Sequence, residues 1–234
     1  MKKTAMQPNL AVVTNQSETD ENRHDTIYIS RRNIRIVDAL FNCIDLKDPK
    51  LARHCQAVAA YSLHIASAMG LGHDLRKLRE AALLHDIGKL MVDTAILNKQ
   101  GSLTDREFLQ VRGHSERGMR FLSFFRLGDI ATDVAWHHHE RWDGQGYPDG
   151  LKENEIHQFT RIVTVADAVD AMAENRPYRN HLSDDEIISQ LSAGIGRQFE
   201  PDIAETAIRL IQSGELVATL PEQSVTLDER RKSC

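Results

Sequence analysis

The stretch Ala81-Ala82-Leu83-Leu84-His85-Asp86-Ile87-Gly88-Lys89 ends an apolar run with an imidazole, a carboxylate and an ammonium. The run reads as the buried end of a helix, so the three polar groups are delivered together from the core. Groups of this kind are rarely buried without a partner or a metal. An adjacent His-Asp pair is a weak signal by itself, because ordinary hydrogen bonds also satisfy one. Its meaning depends on the rest of the chain. The helix that leads into the pair starts at about Asp74 and holds Leu75, Leu78, Ala82 and Leu83, and Gly88 lets the chain turn after it.

Two helices are expected upstream. Ser30 caps one with Ile34, Val37, Leu40, Phe41 and Ile44 on a single face. Asp48 and Pro49 open the second, which carries Leu51, Cys55, Val58, Ile65 and Met69 toward the core and stops at Gly70 and Gly72. His54 lies beside that stripe, whereas His24, His64 and His73 read as surface or satisfied core positions.

Downstream, a short helical turn is expected near Asp93 to Leu97, and Thr104-Asp105-Arg106-Glu107 is a capping box. The helix it opens sets Phe108, Val111, Met119 and Leu122 at core spacing, with His114 between them. A further helix carries Ile130, Val134 and the triplet His137-His138-His139. Successive helical residues point about 100° apart, so two neighbours of the triplet can share a broad site while the third points away. Asp143-Gly144-Gln145-Gly146-Tyr147-Pro148-Asp149-Gly150 is a loop, and Arg161 to Ala173 resumes the helical period with Asp167 and Asp170 among apolar neighbours. Arg176-Pro177-Tyr178-Arg179 is a basic turn, Ser183 to Glu186 a second capping box, and Pro201 opens a last helix. No β-alternating segment of any length occurs. The expected architecture is therefore all-α: a helical bundle over 30–214 with short loops and little or no β structure, a flexible tail at 1–29 and a polar tail at 215–234.

Composition narrows the function. A net charge of −5 with both signs mixed gives no broad face for a nucleic-acid polymer. Three scattered cysteines, Cys43, Cys55 and Cys234, suit a reducing cytoplasm better than a disulfide framework. The apolar run Leu10 to Val13 is too short for a signal peptide, which needs about 7 residues, or for a membrane span of about 20. Among the eleven histidines, His54, His85, His114, His138 and His139 combine with Asp86 and Asp167 into a set carried by separate helices. Mixed imidazole and carboxylate ligation suits Fe, Mn, Zn or Ni rather than Mg or Ca. The set exceeds what one ion takes when positions stay open for water and substrate, which argues for two ions sharing a carboxylate. Two ions about 3.5–4 Å apart clamp the attacking and leaving oxygens of a phosphoryl displacement.

The order His54, His85-Asp86-Ile87-Gly88-Lys89, His114, His138-His139-Glu140, Gly146-Tyr147-Pro148, Asp167 and Arg176-Pro177-Tyr178-Arg179 resembles the HD-GYP family of metal-dependent phosphodiesterases, from about Leu51 to Pro201. His-Asp marks the wider HD superfamily, and the His-His-Glu and Gly-Tyr-Pro elements narrow it. The resemblance implies an all-α bundle of the HD-domain type that hydrolyses cyclic di-GMP to pGpG or on to GMP. It implies two divalent transition metal ions, Fe or Mn before Ni or Zn. His54, His85, Asp86 and Asp167 would hold one and His114, His138 and His139 the other, with Asp86 bridging and a hydroxide between the ions as nucleophile. Lys89 would offset charge on the reacting phosphate, Tyr147 would pack on or hydrogen-bond the ligand, and Arg176 and Arg179 would grip phosphate.

One departure is informative. Some members use a glutamate four residues before the first ligand histidine to hold a third metal, and here that position is Lys50, so two ions are expected. The stretch 1–30 is too short to fold as the family's usual sensor, which leaves a separate regulatory protein and a homodimer open. The expected partner is cyclic di-GMP, without nucleic-acid polymer or membrane. The alternatives are a catalytically inactive cyclic di-GMP receptor or interaction module, and an HD-type phosphohydrolase of another nucleotide.

Overall fold

The first helix, α1 (Asp20–Lys47), stops just before Asp48, whose carboxylate accepts hydrogen bonds from the Lys50 and Leu51 backbone N–H groups at 3.1 and 3.0 Å. That cap starts α2 (Pro49–Ala68), and Pro49 takes the first helical position, where a missing N–H leaves nothing unpaired. The computed structural model describes residues 20–72, 74–174 and 181–216, with side chains from 32 onward. The helices that follow are α3 (Leu75–Leu84), α4 (Thr94–Leu97), α5 (Asp105–Arg112), α6 (His114–Ser123), α7 (Asp129–His137), α8 (Gln158–Ala173), α9 (Asp184–Gly194) and α10 (Pro201–Gln212). A 3-10 turn over Ile87–Met91 follows α3. Among the described residues there is no strand, only an isolated bridge between Ile195 and Phe199. The all-α expectation holds.

Four helices close a ring, because α2 packs on α3, α3 on α7, α7 on α8, and α8 back on α2. Each turns a fully buried apolar stripe inward: Val58 and Ile65 of α2, Leu78 and Leu84 of α3, Val134 of α7, and Ile162 and Val169 of α8. The hydrophobic effect therefore sets the mutual positions of the helices whose ends carry the histidines and aspartates. Outside the ring, α1 and α10 cover α2, and α6 lies against α7 and the 3-10 turn.

Several expectations need correction. Helix α1 starts ten residues before Ser30, since neither glycine nor proline interrupts Asp20 to Lys47. Residues 20–29 thus belong to a helix rather than a tail. Ile34 is 41% exposed, while Val37, Leu40 and Ile44 are buried. The helix expected from Thr104 through Leu122 is two: Gly113, with ψ near zero, ends the hydrogen-bond ladder of α5, and α6 restarts at His114. Helix α5 packs mainly on α4 and α6 and buries no residue, and Phe108 is 53% exposed. At the other end, Leu216 is buried and its N–H bonds the Leu210 carbonyl, so the chain is still anchored one residue past 215. The capping boxes at Thr104 and Ser183 form as expected.

Gly88 serves a different purpose from the one the sequence suggests. It is absent from the positive-φ positions, but a Cβ on it would lie 1.9 Å from the His114 carbonyl oxygen and 2.7 Å from the Gly118 nitrogen. Close approach between the 3-10 turn and α6 requires the missing side chain.

Candidate metal centre

The expected ligand residues converge. Helix α2 carries His54, α3 ends at His85 and delivers Asp86, α6 begins with His114, α7 runs out into His138 and His139, and α8 carries Asp167. Three overlapping groups of donor atoms form: His54, His85 and Asp167; His114, His138 and His139; and His85, Asp86 and His138.

Asp86 joins these groups through its two carboxylate oxygens. Its Oδ2 lies 3.5 Å from His54 Nε2 and 3.4 Å from His85 Nε2, and His54 Nε2 is in turn 3.2 Å from Asp167 Oδ1. Its Oδ1 lies 3.1 Å from His114 Nε2 and 3.7 Å from His138 Nε2. Lys89, one turn further on, reaches Oδ2 at 2.5 Å. One buried carboxylate therefore faces two separate imidazole sets.

The far nitrogens of the rings are fixed. The Nδ1 of His85, His114 and His138 lie 2.7, 2.7 and 3.0 Å from the carbonyl oxygens of Ala82, Val111 and Val134. A carbonyl only accepts, so each Nδ1 carries a hydrogen and each ring, when neutral, turns an Nε2 lone pair into the site. His54 Nδ1 is held at 2.6 Å by Asp170, a carboxylate–histidine arrangement typical behind metal-ligating imidazoles. His114 Nε2 stands 3.1 Å from His138 Nε2 and 3.2 Å from His139 Nε2. The facing lone pairs of neutral His114 and His138 repel at that separation unless a cation lies among them. The Nε2 of His85 and Oδ1 of Asp86 are also buried without a hydrogen-bond partner. Orphaned acceptors of this kind are costly in a protein and natural for metal ligands, so the donor set fits divalent metal ions.

Electrostatics agree. Burial opposes ionisation of Asp86, yet Lys89 and the surrounding imidazoles hold its carboxyl well below the usual range. Burial disfavours a charged His85, but the Asp86 carboxylate outweighs it and lifts the ring to about 10. His54 is raised as well, against burial, by Asp167, Asp170 and Asp86. In contrast, burial and crowding by neighbouring imidazoles push His139 down to about 4 and His138 well below its ordinary value. One half of the site draws positive charge and the other offers neutral ligands.

His137, the third of the triplet, points away. Its Nδ1 lies 2.9 Å from Asp133 and its Nε2 3.0 Å from Asp149. Asp149 also accepts from the Trp136 indole at 2.8 Å, and Asp133 from the Thr160 hydroxyl at 2.5 Å. These contacts stitch the 143–150 loop to α7. From the inside, buried Glu140 accepts the N–H groups of Asp149 and Gly150 at 2.6 and 3.0 Å. At its start the loop donates from Trp142 and Asp143 to the carbonyls of Gln198 and Arg197, at 3.2 and 2.8 Å. Gly146 lets it fold onto itself, since a Cβ there would meet Glu140 and Arg141 backbone atoms at 2.5 Å. So held, Tyr147 stacks on His139 with 4.8 Å between rings, and burial raises its hydroxyl to about 12.

Sequence reading noticed Asp170 without giving it a task, and the available signal is its place one turn after Asp167 on the same apolar helix. Glu140 is part of the His-His-Glu element but was given no task, and Arg112 carried no signal, because loop closure cannot be read from periodicity. Lys50, one turn before His54, pairs with Glu174 at 3.4 Å. Arg176 and Arg179 lie outside the described residues.

Residues 38–203 match the sequence model of the HD domain family. A 3'3'-cGAMP-specific phosphodiesterase of Vibrio cholerae is 34% identical over 80% of the chain and 36% of its own length. A cyclic di-GMP phosphodiesterase of Thermotoga maritima is 36% identical over 75% of the chain and 48% of its length. One of Pseudomonas aeruginosa is 37% identical over 78% and 45%. The chain thus spans less than half the length of these relatives. Among solved structures, an HDG"Y"P protein from Bdellovibrio bacteriovorus superposes with a TM-score of 0.60 at 17% identity, covering 82% of this chain and 67% of that one. The HD domain of the L. monocytogenes phosphodiesterase PgpH superposes at 0.53 with 16% identity, over 75% of this chain and 98% of that one. Both likenesses are of fold.

Proposed function

The chain belongs to the HD domain family, and from that premise we propose that it is a metal-dependent phosphodiesterase that hydrolyses cyclic di-GMP to linear pGpG or on to GMP. The observation that carries the reading is Asp86, one carboxylate with an oxygen toward each of two imidazole sets. Two ions, Fe or Mn before Ni or Zn, would be held by His54, His85, Asp86 and Asp167 on one side and His114, His138, His139 and Asp86 on the other. When bound, they supply Lewis-acid polarisation of the phosphate and lower the pKa of a water.

The remaining work falls to the chain's own groups. Carbonyls and Asp170 hold the imidazoles in the tautomer that presents Nε2, which limits reorganisation during reaction. Water oxygen bonds to phosphorus, the bond from phosphorus to the 3′ oxygen breaks, and that oxygen leaves protonated, giving a 5′-phosphorylated linear product. Lys89 is positioned to offset charge that accumulates on the equatorial oxygens as this happens. Tyr147 stays protonated and can donate to the ligand. Arg176 and Arg179 are assigned to ground-state phosphate binding on the sequence pattern alone. The ammonium of Lys50, paired with Glu174, supports two ions rather than three. Free thiols at Cys43 and Cys55 support a reducing compartment, the cytoplasm. No helix among the described residues is long and apolar enough to cross a membrane.

The test is anaerobic purification with metal analysis, followed by chromatography of the products formed from cyclic di-GMP. Two ions per chain and release of pGpG are expected. Tight binding without turnover under Fe(II), Mn(II), Ni(II) and Zn(II) would replace the enzyme with a receptor.

A further inference from the structure

Arg112 ends α5 at the rim of the centre, with its guanidinium carbon 4.3 Å from the centroid of the Tyr147 ring. Tyr147 in turn stacks on His139, so a single aromatic ring separates this arginine from a residue of the imidazole set. Arg112 is exposed, and no carboxylate pairs with it among the described residues. Nearby acids are already engaged: Glu107 binds Lys99 at 2.5 Å, and Glu116 binds Arg120 at 2.6 Å. The other described cation of the centre, Lys89, is occupied by Asp86 at 2.5 Å. A guanidinium lying against a ring keeps its N–H edge available, and that edge matches a phosphodiester in a two-pronged way. A cyclic dinucleotide carries two phosphodiesters. While one reacts between the imidazole sets, the other lies on the same small ring and needs a counter-charge within side-chain reach.

We propose that Arg112 receives this second, non-reacting phosphodiester and so selects cyclic dinucleotides over simple phosphodiesters. The proposal rests on the phosphodiesterase reading given above. Tyr147 is the platform that orients the guanidinium, which connects the loop's stitching to substrate choice.

The test compares metal-loaded full-length parent, Arg112→Ala and Arg112→Lys on two substrates: cyclic di-GMP, and bis(p-nitrophenyl) phosphate, which has one phosphodiester and no purine. For cyclic di-GMP, Arg112→Ala is expected to raise KM about tenfold or more, the loss of one charge-assisted contact, and to change kcat less. The rise in KM should be several times smaller for bis(p-nitrophenyl) phosphate. Arg112→Lys should recover part of the loss, and the salt dependence of KM for cyclic di-GMP should flatten in Arg112→Ala. Equal losses on both substrates would overturn the proposal, since they would mean that Arg112 only props Tyr147. A salt dependence unaltered by the substitution, with no rescue by lysine, would overturn it in favour of a base contact. Parent protein that cleaves bis(p-nitrophenyl) phosphate but neither binds nor cleaves cyclic di-GMP would overturn the substrate reading itself, and Arg112's role with it.

Discussion

Asp86 is buried, ionised and doubly placed, so its loss should be felt in both halves of the centre. Asp86→Ala is expected to remove or scramble both ions and abolish turnover while circular dichroism stays helical, because the ring helices keep their apolar stripes. Parent-like metal content together with parent-like activity would refute the two-ion arrangement. The histidine triplet offers a second measurement. His138→Ala or His139→Ala should deplete metal, whereas His137→Ala should leave metal content near the parent's. His137 also has a pH signature. Burial lowers its proton affinity, but hydrogen bonds to Asp133 and Asp149 outweigh this and raise it. A raised histidine stabilises fully below its unfolded value of about 6.5 and loses that contribution as pH climbs through the folded value. Chemical denaturation should therefore show His137→Ala costing more at pH 6 than at pH 9, by up to about 1 kcal/mol given the exposed Asp149 partner. A larger cost at pH 9 would contradict the pairing. At this scale the ligands are legible, since their spacing survives in sequence. The tasks of Asp170 and Glu140 are not, because what defines them is a partner brought near only by folding.

At the level of elements, the 3-10 turn and α6 touch backbone to backbone through Gly88. Gly88→Ala must push them apart, at a cost of roughly 1–3 kcal/mol or more, as overpacking does. Since α6 begins with His114, the same shift should weaken metal retention. Thermal melting and metal counting on this variant check both effects, and parent-like values for both would show that the contact is dispensable. Helices α2, α3, α7 and α8 are readable because apolar periodicity there matches a real partner on every side. Helix α5 is misread by the same rule: Phe108 and Val111 have core spacing, but Gly113 ends the ladder and no residue of the short helix is buried. Periodicity records which face could be buried, and a break of one residue decides whether it is.

For the molecule as a whole, side chains from α2, α3, α6, α7 and α8 converge on one buried cluster of donors, so ion binding is coupled to folding. Chelation should lower the melting temperature. Ions present at 100 times their dissociation constant contribute about 2.7 kcal/mol, or roughly 5–10 °C for a domain of this size. An unchanged melting curve in excess chelator would mean that the ions do not bridge the helices. The class of fold follows from sequence almost entirely, whereas closure of the 143–150 loop over the centre depends on contacts to 197–198 that no local pattern encodes. That loop has an optical consequence. The chain's only two tryptophans both border it: Trp136 donates its indole N–H to Asp149, and Trp142 lies beneath the Arg161 guanidinium while its backbone N–H bonds the Gln198 carbonyl. The intrinsic emission of the unmodified protein is thus a gauge of one short segment. Saturating cyclic di-GMP should change its intensity or wavelength, and Tyr147→Ala should blunt that change. An emission spectrum indifferent to a ligand that demonstrably binds would mean that the loop does not register occupancy.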